Sequence, residues 1–335
     1  MWGVDLKLFQ FDGSLTWAVF FLNGDKTIYG RYGTRAARDH MESISMKGFK
    51  AAMRGALALH KRHPVDKKAL AGKTGPKMKW PTPELLPGHK GRFKKGDTSR
   101  MGCIHCHFVD EGIMKSAWLT GKKVEDRMFW RYPMPDLLGF GLMTDERATV
   151  EHVDPKSAAD KAGLRKGDVI RTMEGQPILS IADVQWILEQ AKDTGTLKLT
   201  LDRAGKSMDA RIRLPKGWRT SEEFTWRGGT YGFRPGMAAD AVKPADRKKN
   251  GIASDKLALR IGFMHPSWGE VAKRPWQTKK GLRKGDIIVA LNGDSSHLTP
   301  SEFIARCWQR SRPGKPLLLT VLRGGKTLQI KVPTP

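Results

Sequence analysis

Cys103-Ile104-His105-Cys106-His107 is the densest run of reactive side chains in the sequence. Two thiols three residues apart, followed at once by an imidazole, have the spacing at which a c-type haem is attached. In that chemistry the thiols form thioethers with the haem vinyls and His107 ligates the iron. Met134, within Tyr132-Pro133-Met134-Pro135, is the first candidate for a sixth ligand, with Met114 and Met128 as others. The same side chains suit two other chemistries. Cys103, Cys106 and His107, or His105 in its place, could hold zinc, borrowing His60 or His63, which stand three residues apart. Cys103 and Cys106 could instead pair as a disulfide. Haem c would give a red protein with a Soret band, and zinc a colourless protein with stoichiometric metal.

No other constellation in the chain completes a catalytic site. Asp168 and Asp286 read as turn residues rather than as a carboxylate pair. Gly293-Asp294-Ser295-Ser296 reads as a turn and not as a serine nucleophile. Gly228-Gly229 and Gly324-Gly325 lack the Lys-Ser/Thr that a phosphate loop needs. Cys307, within Phe303-Ile304-Ala305-Arg306-Cys307-Trp308, reads as core packing.

The elements that position the cluster are framed by composition. The chain has 335 residues, 39% hydrophobic and 28% charged, enough to bury cores over two or three domains. Three cysteines exclude a disulfide scaffold. Lys and Arg number 60 against 34 Asp and Glu, a net charge of +26. Such a surface attracts polyanions. The charge is spread along the chain, however, and no aromatic, zinc-finger or recognition-helix pattern accompanies it, so specific nucleic-acid binding is not expected. No apolar run approaches the ~20 residues of a membrane helix. No signal peptide follows Met1.

Residues 1–63 read as strands followed by a helix. Val4 to Phe9 alternates, and Thr16 to Leu22 is nearly continuous in apolar residues, as in a strand covered on both faces. Asn23-Gly24 signals a hairpin turn and Thr27 to Tyr32 the returning strand. Met46, Phe49, Met53, Ala56 and Leu57 then recur at helical spacing up to a stop before Pro64. Residues 64–136 mix Lys, Gly and Pro and read as an extended basic linker carrying the Cys/His cluster. Residues 137–335 contain a repeat. Gly163-Leu164-Arg165-Lys166-Gly167-Asp168-Val169-Ile170 returns as Gly281-Leu282-Arg283-Lys284-Gly285-Asp286-Ile287-Ile288. A helix-like stretch and an Arg-containing turn follow in both copies, at Arg203-Ala204-Gly205-Lys206 and Arg323-Gly324-Gly325-Lys326.

Ser157 to Ile170 resembles the core of a bacterial PDZ domain of the HtrA type. That resemblance implies an extended peptide laid beside an exposed strand, its C-terminal carboxylate held by a short Gly-containing loop. Leu138, Gly139, Phe140, Gly141 and Leu142 stand where that loop and strand belong. Val184, Ile187 and Leu188 stand on the helix that would form the other wall. In the second copy Tyr231-Gly232-Phe233 is the equivalent loop, followed by an insert from about Pro235 to Lys256.

Phe9 to Arg35, read together with the two later copies, resembles a bacterial family joining a thioredoxin-like domain to PDZ domains, some of whose members are selenoproteins. The chain departs from that family where thioredoxins carry Cys-x-x-Cys, since residues 1–63 contain no thiol. Two readings of this are open: a start at an internal methionine downstream of a selenocysteine codon, or a purely structural remnant.

The expected architecture is α+β and multidomain: a partial thioredoxin-like segment (1–63), a basic linker with the Cys-x-x-Cys-His segment (64–136), and two PDZ-like sandwich domains (137–216 and 217–335). The expected function is a peptide-binding scaffold of the bacterial envelope that recruits protein C-termini or extended peptides and carries a haem or metal site. The alternative is a thioredoxin-like or c-type haem oxidoreductase working with a redox partner. Both readings place the protein in the periplasm or cell envelope: haem c attachment needs an extracytoplasmic compartment, and the resemblance to HtrA-type PDZ modules implies the bacterial envelope.

Overall fold

A computed structural model describes residues 1–15, 17–35, 43–65, 67–97, 102–226, 237–264 and 281–332. The described residues form an α+β protein of two compact units. One comprises residues 1–113, 130–222 and 226–230, the other residues 114–129, 223–225 and 231–335. These units cut across the division expected from composition, because the N-terminal segment and most of the linker pack in the same unit as the first repeat.

In the first unit, β1 (Val19–Leu22) and β2 (Ile28–Tyr32) form an antiparallel hairpin. The Asn23 side chain closes its turn by accepting from the amides of Asp25 and Thr27. Helix α1 (Met46–Arg62) follows, capped by Ser45, whose hydroxyl accepts from the Gly48 amide. It stops before Pro64, as expected. The strand expected at Val4 to Phe9 is absent: Asp5 accepts from the amides of Lys7 and Leu8, which winds the segment into turns. Strand β1 is not covered on both faces either. Its residues are half-buried, Leu22 is exposed, and it pairs only with β2 among the described residues. What stands of the thioredoxin-like expectation is a hairpin and a helix.

The linker is packed rather than extended. It contains α2 (Lys67–Leu70) and several single helical turns, and it buries Leu70, Lys73, Leu86 and His89. Helix α3 (Cys106–Leu119) begins at the second cysteine of the cluster.

The first repeat, also in this unit, has a four-stranded antiparallel sheet in the order β6-β5-β7-β8, with β5 Val169–Met173, β6 Gln176–Pro177, β7 Gly195–Arg203 and β8 Lys206–Leu214. A strand pair, β3 (Phe140–Leu142) and β4 (Val150–Val153), joins it through a bridge from Thr149 to Val169. Helices α4 (Ala158–Lys161) and α5 (Ile181–Gln190) complete it. Phe140, Val150, Ile170, Met173, Val184 and Leu188 are fully excluded from solvent in its core. Each such side chain contributes about 1.5–3 kcal/mol.

The second unit has one five-stranded antiparallel sheet, β13-β12-β11-β10-β9. Its strands are β9 (Met237–Ala241), β10 (Leu259–Met264), β11 (Ile287–Leu291), β12 (Leu317–Arg323) and β13 (Lys326–Val332), and α7 (Pro300–Arg310) carries a capping box from Thr299 and Glu302. The insert expected from about Pro235 to Lys256 is shorter than that: Met237–Ala241 within it is strand β9, paired with β10 in the sheet, and α6 (Pro244–Lys249) lies between the two strands. Tyr231-Gly232-Phe233, the loop expected in this copy, lies outside the described residues.

Candidate functional site: a covered groove, a basic cleft and the cysteine cluster

The repeated Gly-Asp and Arg turns meet in space. In the first copy Arg203 donates to both carboxylate oxygens of Asp168, at 2.7 and 2.8 Å, and to the Gly163 carbonyl at 2.6 Å. In the second, Arg323 donates to Asp286 at 2.7 and 2.7 Å and to the Gly281 carbonyl at 2.6 Å. Each carboxylate also accepts from an amide three residues earlier, Arg165 or Arg283. The guanidinium therefore ties the tip of the β7–β8 or β12–β13 hairpin to the turn before the core strand. These hydrogen bonds hold Asp168 below the usual carboxylate range against the opposing pull of its burial. At the two hairpin tips, Ala204 and Gly205 in one copy and Gly324 and Gly325 in the other have positive φ, as a two-residue hairpin loop requires.

All eight residues expected to line the first peptide groove lie together and are buried: Leu138, Gly139, Phe140, Gly141, Leu142, Val184, Ile187 and Leu188. Every α5 residue from Ile181 to Glu189 is buried as well. The covering comes from the chain itself. Asp183 accepts from Lys73 Nζ at 2.8 Å, from the Leu179 amide at 2.9 Å and from the Arg31 amide at 3.2 Å. Ser180 donates to the Arg31 carbonyl, and the Arg31 guanidinium lies 4.0 Å from the Trp186 ring centroid. Trp186 Nε1 donates to the Gly72 carbonyl. Gln185 Nε2 donates to the Tyr132 carbonyl and Glu189 accepts from the Tyr132 amide. Arg219 donates to the Leu188 and Ala191 carbonyls and so caps the helix C-terminus. Lys73 and Asp183 are fully excluded from water. Burial pushes the Lys73 ammonium down, and the Arg31 guanidinium down to about 10.

Sequence reasoning missed this network. Asp183 stands in the first turn of a helix, where an acidic residue is ordinary, and Lys73 stands among other lysines. Only the placement of the linker on α5 sets them apart.

An open cleft of about 990 Å³ lies at the Gly139 end of the first repeat. It is lined by the 136–139 turn, α4, the start of β7 and the end of β8, with Lys156, Lys161, Arg211, Arg213 and Lys216 against Asp136 and Asp154. Leu137, Ala158, Ala162 and Leu214 form its apolar floor. Gly139 has φ +81°, and its amide donates within its own turn to the Asp136 carbonyl. That amide is not free to cradle an anion, so positive charge in the cleft comes from side chains.

The cysteine cluster does not converge. Cys103 is exposed and donates to the Asp97 carbonyl, while Cys106 is half-buried, and both are free thiols. Cys106 lines an apolar cleft of about 420 Å³ with Phe9, Phe11, Trp17 and Phe20, which neither Cys103 nor His107 lines. His107 stacks on His105 and meets Phe108 edge-on. Burial pushes the Cys106 thiol up and the His107 imidazole down. Met134 belongs to the core of the first repeat, its sulfur 3.5 Å from the Thr34 hydroxyl. This placement does not fit a haem held by both thiols with His107 and Met134 as axial ligands. Nor is the zinc grouping assembled: His60 meets the Tyr29 hydroxyl, His63 meets Asp25, and no three His, Cys, Asp or Glu side chains could hold a metal ion among the described residues. Cys307 is buried, in keeping with a packing role.

The fold and the duplicated clamp define a chain with tandem PDZ modules. Residues 136–214 and 270–334 both match the PDZ domain family, so the two copies are PDZ domains. Among curated proteins, the chain is 28% identical over 153 residues to a probable periplasmic serine protease, do/HhoA-like, of Haemophilus influenzae (46% of this chain, 29% of that protein). It is 26% identical over 155 residues to the periplasmic pH-dependent serine endoprotease DegQ of Escherichia coli (46% and 30%). It is 40% identical over 162 residues to a probable periplasmic DegP-like serine endoprotease of Pseudomonas putida (47% and 31%). The chain spans about a third of the length of these relatives, all of them periplasmic, which agrees with the compartment expected from the sequence. No described helix is long and apolar enough to cross a membrane.

Proposed function

We propose that this chain is a protein-binding PDZ scaffold of the bacterial envelope that takes acidic or carboxylate-ended peptide segments in the basic cleft of its first PDZ domain. The observation that carries the reading is the cleft itself: five cationic side chains over an apolar floor, beside the turn where PDZ domains receive a chain terminus. Charge attracts and orients the segment, and apolar contact holds it. The groove between β3 and α5 is covered by the chain's own residues, so recruitment there would require the Arg31 and Lys73 segments to lift. The cleft needs no such movement.

Titration of a fluorescent peptide library, each member with a free or an amidated C-terminus, tests this. Free carboxylates are expected to bind more tightly, and Arg213→Glu with Lys216→Glu to weaken them by about tenfold or more, the loss of at least one charged contact. Equal binding of free and amidated peptides, unchanged by the charge reversal, would sink it.

A further inference from the structure

Helix α1 reverses the usual amphipathic pattern. Its buried face is Gly48, Ala52, Gly55, Ala56 and Leu59. A Cβ on Gly48 would lie 2.0 Å from the Thr144 carbonyl oxygen, and one on Gly55 would lie 2.8 Å from a Leu179 methyl. The small residues are what allow the helix to lie this close to the first PDZ domain. Of the larger apolar side chains, Phe49 is half-buried against Trp17, Phe21 and Tyr32, whereas three point outward: Met46 is 67% exposed, Met53 37% and Leu57 55%. Residues 46, 53 and 57 fall on one side of the helix at 100° per residue. Lys47, Lys50, Arg54 and Lys61 are exposed around them, and the 17 residues contain no Asp or Glu. Beyond the helix the pattern continues with Val65, 81% exposed, and the exposed Lys67 and Lys68.

We propose that this face of α1 is a docking surface for the headgroup region of an anionic lipid bilayer, with Met46, Met53 and Leu57 entering the interface and the flanking lysines and arginine held at the phosphates. An apolar ridge bordered by long cationic side chains, along a helix of about 25 Å, is the composition of a helix that lies in a membrane surface rather than across it. The lysine stems add apolar contact while their ammonium groups stay in water. An acidic protein would match the charge but would leave the ridge of Met and Leu without a function.

The test is co-sedimentation of the full chain with vesicles of equal parts phosphatidylglycerol and phosphatidylethanolamine, and with pure phosphatidylcholine, in about 0.1 M salt, where the screening length is ~10 Å. The expected result is binding to the anionic vesicles that is at least about tenfold weaker on phosphatidylcholine. Met46→Ser, Met53→Ser and Leu57→Ser combined should reduce it about tenfold at unchanged net charge. Lys50→Glu with Arg54→Glu should reduce it separately by a similar factor. Both variants alter exposed side chains, and unchanged circular dichroism melting establishes that they fold. Full binding by the serine variant would overturn the proposal, because the net charge alone would then explain it. Failure of the unaltered chain to sediment with the anionic vesicles would overturn it too, as would tight binding of poly-glutamate through α1 without vesicle binding. The peptide titrations address a different surface, and either result can fail without the other.

Discussion

The two PDZ domains share a clamp and differ in how their groove-wall helix is used. Asp168 with Arg203 and Asp286 with Arg323 agree to within 0.1 Å at each matching contact. The helices do not match. In the first domain α5 is buried from Ile181 to Glu189, polar residues included, and holds a water-free ion pair through Asp183. In the second, α7 is amphipathic: Phe303, Ala305, Cys307 and Trp308 are buried, while Arg306 and Gln309 are half-exposed and meet Asp126. A repeated motif therefore fixes the scaffold of each domain without fixing how its helix is covered. What decides that is which other segment of the chain lies on the helix.

The largest effect is expected at the ion pair. Asp183→Ala leaves Lys73 buried without its partner and should destabilise the first unit by about 3–5 kcal/mol, read by chemical denaturation. It should also expose Val184, Ile187 and Leu188 to peptide, raising affinity at that groove. Loss of stability with no new binding would mean that the segments covering α5 do more than mask it.

Next come the clamps. Arg203→Ala and Arg323→Ala each remove two charge-assisted hydrogen bonds to a buried carboxylate and should each cost about 2 kcal/mol. Similar losses would sharpen the equivalence of the two clamps. A neutral Arg323→Ala beside a costly Arg203→Ala would break it.

The first clamp also sets a pH dependence. The carboxyl of Asp168 is held below its ordinary value in the folded protein. Its contribution is therefore present above the ordinary carboxylate pKa of ~4 and is lost as pH falls through the lowered folded value. Denaturation curves through this range should lose stability with acid, and Arg203→Ala should flatten that slope.

The smallest effect is chemical. In native protein a thiol reagent should modify Cys103 first, Cys106 more slowly because burial raises its pKa, and Cys307 only on unfolding. Equal rates at Cys103 and Cys106 would show that the cleft lined by Phe9 and Phe20 does not shield the second thiol.

Much of the PDZ fold was legible in the chain. The Gly-Leu-Arg-Lys-Gly-Asp repeat marks two turns whose conformation only glycine and short polar residues support, and the Arg turn follows at nearly the same offset in both copies. The insert before β10 was legible only in part, since Met237–Ala241 within its expected bounds is a strand of the sheet. The site was less so. Helical spacing grouped Met46, Phe49, Met53, Ala56 and Leu57; Phe49 and Ala56 do pack inward, but Met46, Met53 and Leu57 are exposed, because periodicity cannot tell which side of a helix meets a neighbour. The cluster from Cys103 to His107 has haem-like spacing, but spacing does not say that Cys106 turns into an aromatic cleft while His107 packs on His105.

Local chemistry alone determined the hairpin at Asn23, the helix stop at Pro64, the two Gly-Asp turns and the cationic excess, since each depends on neighbouring residues or on a sum over the chain. Tertiary structure decided the fate of the first groove and the outward face of α1. Both depend on which surfaces meet. Lys73 reaches Asp183 across 110 positions of sequence, and Gly48 lies under Thr144 from almost as far, contacts that no local pattern encodes.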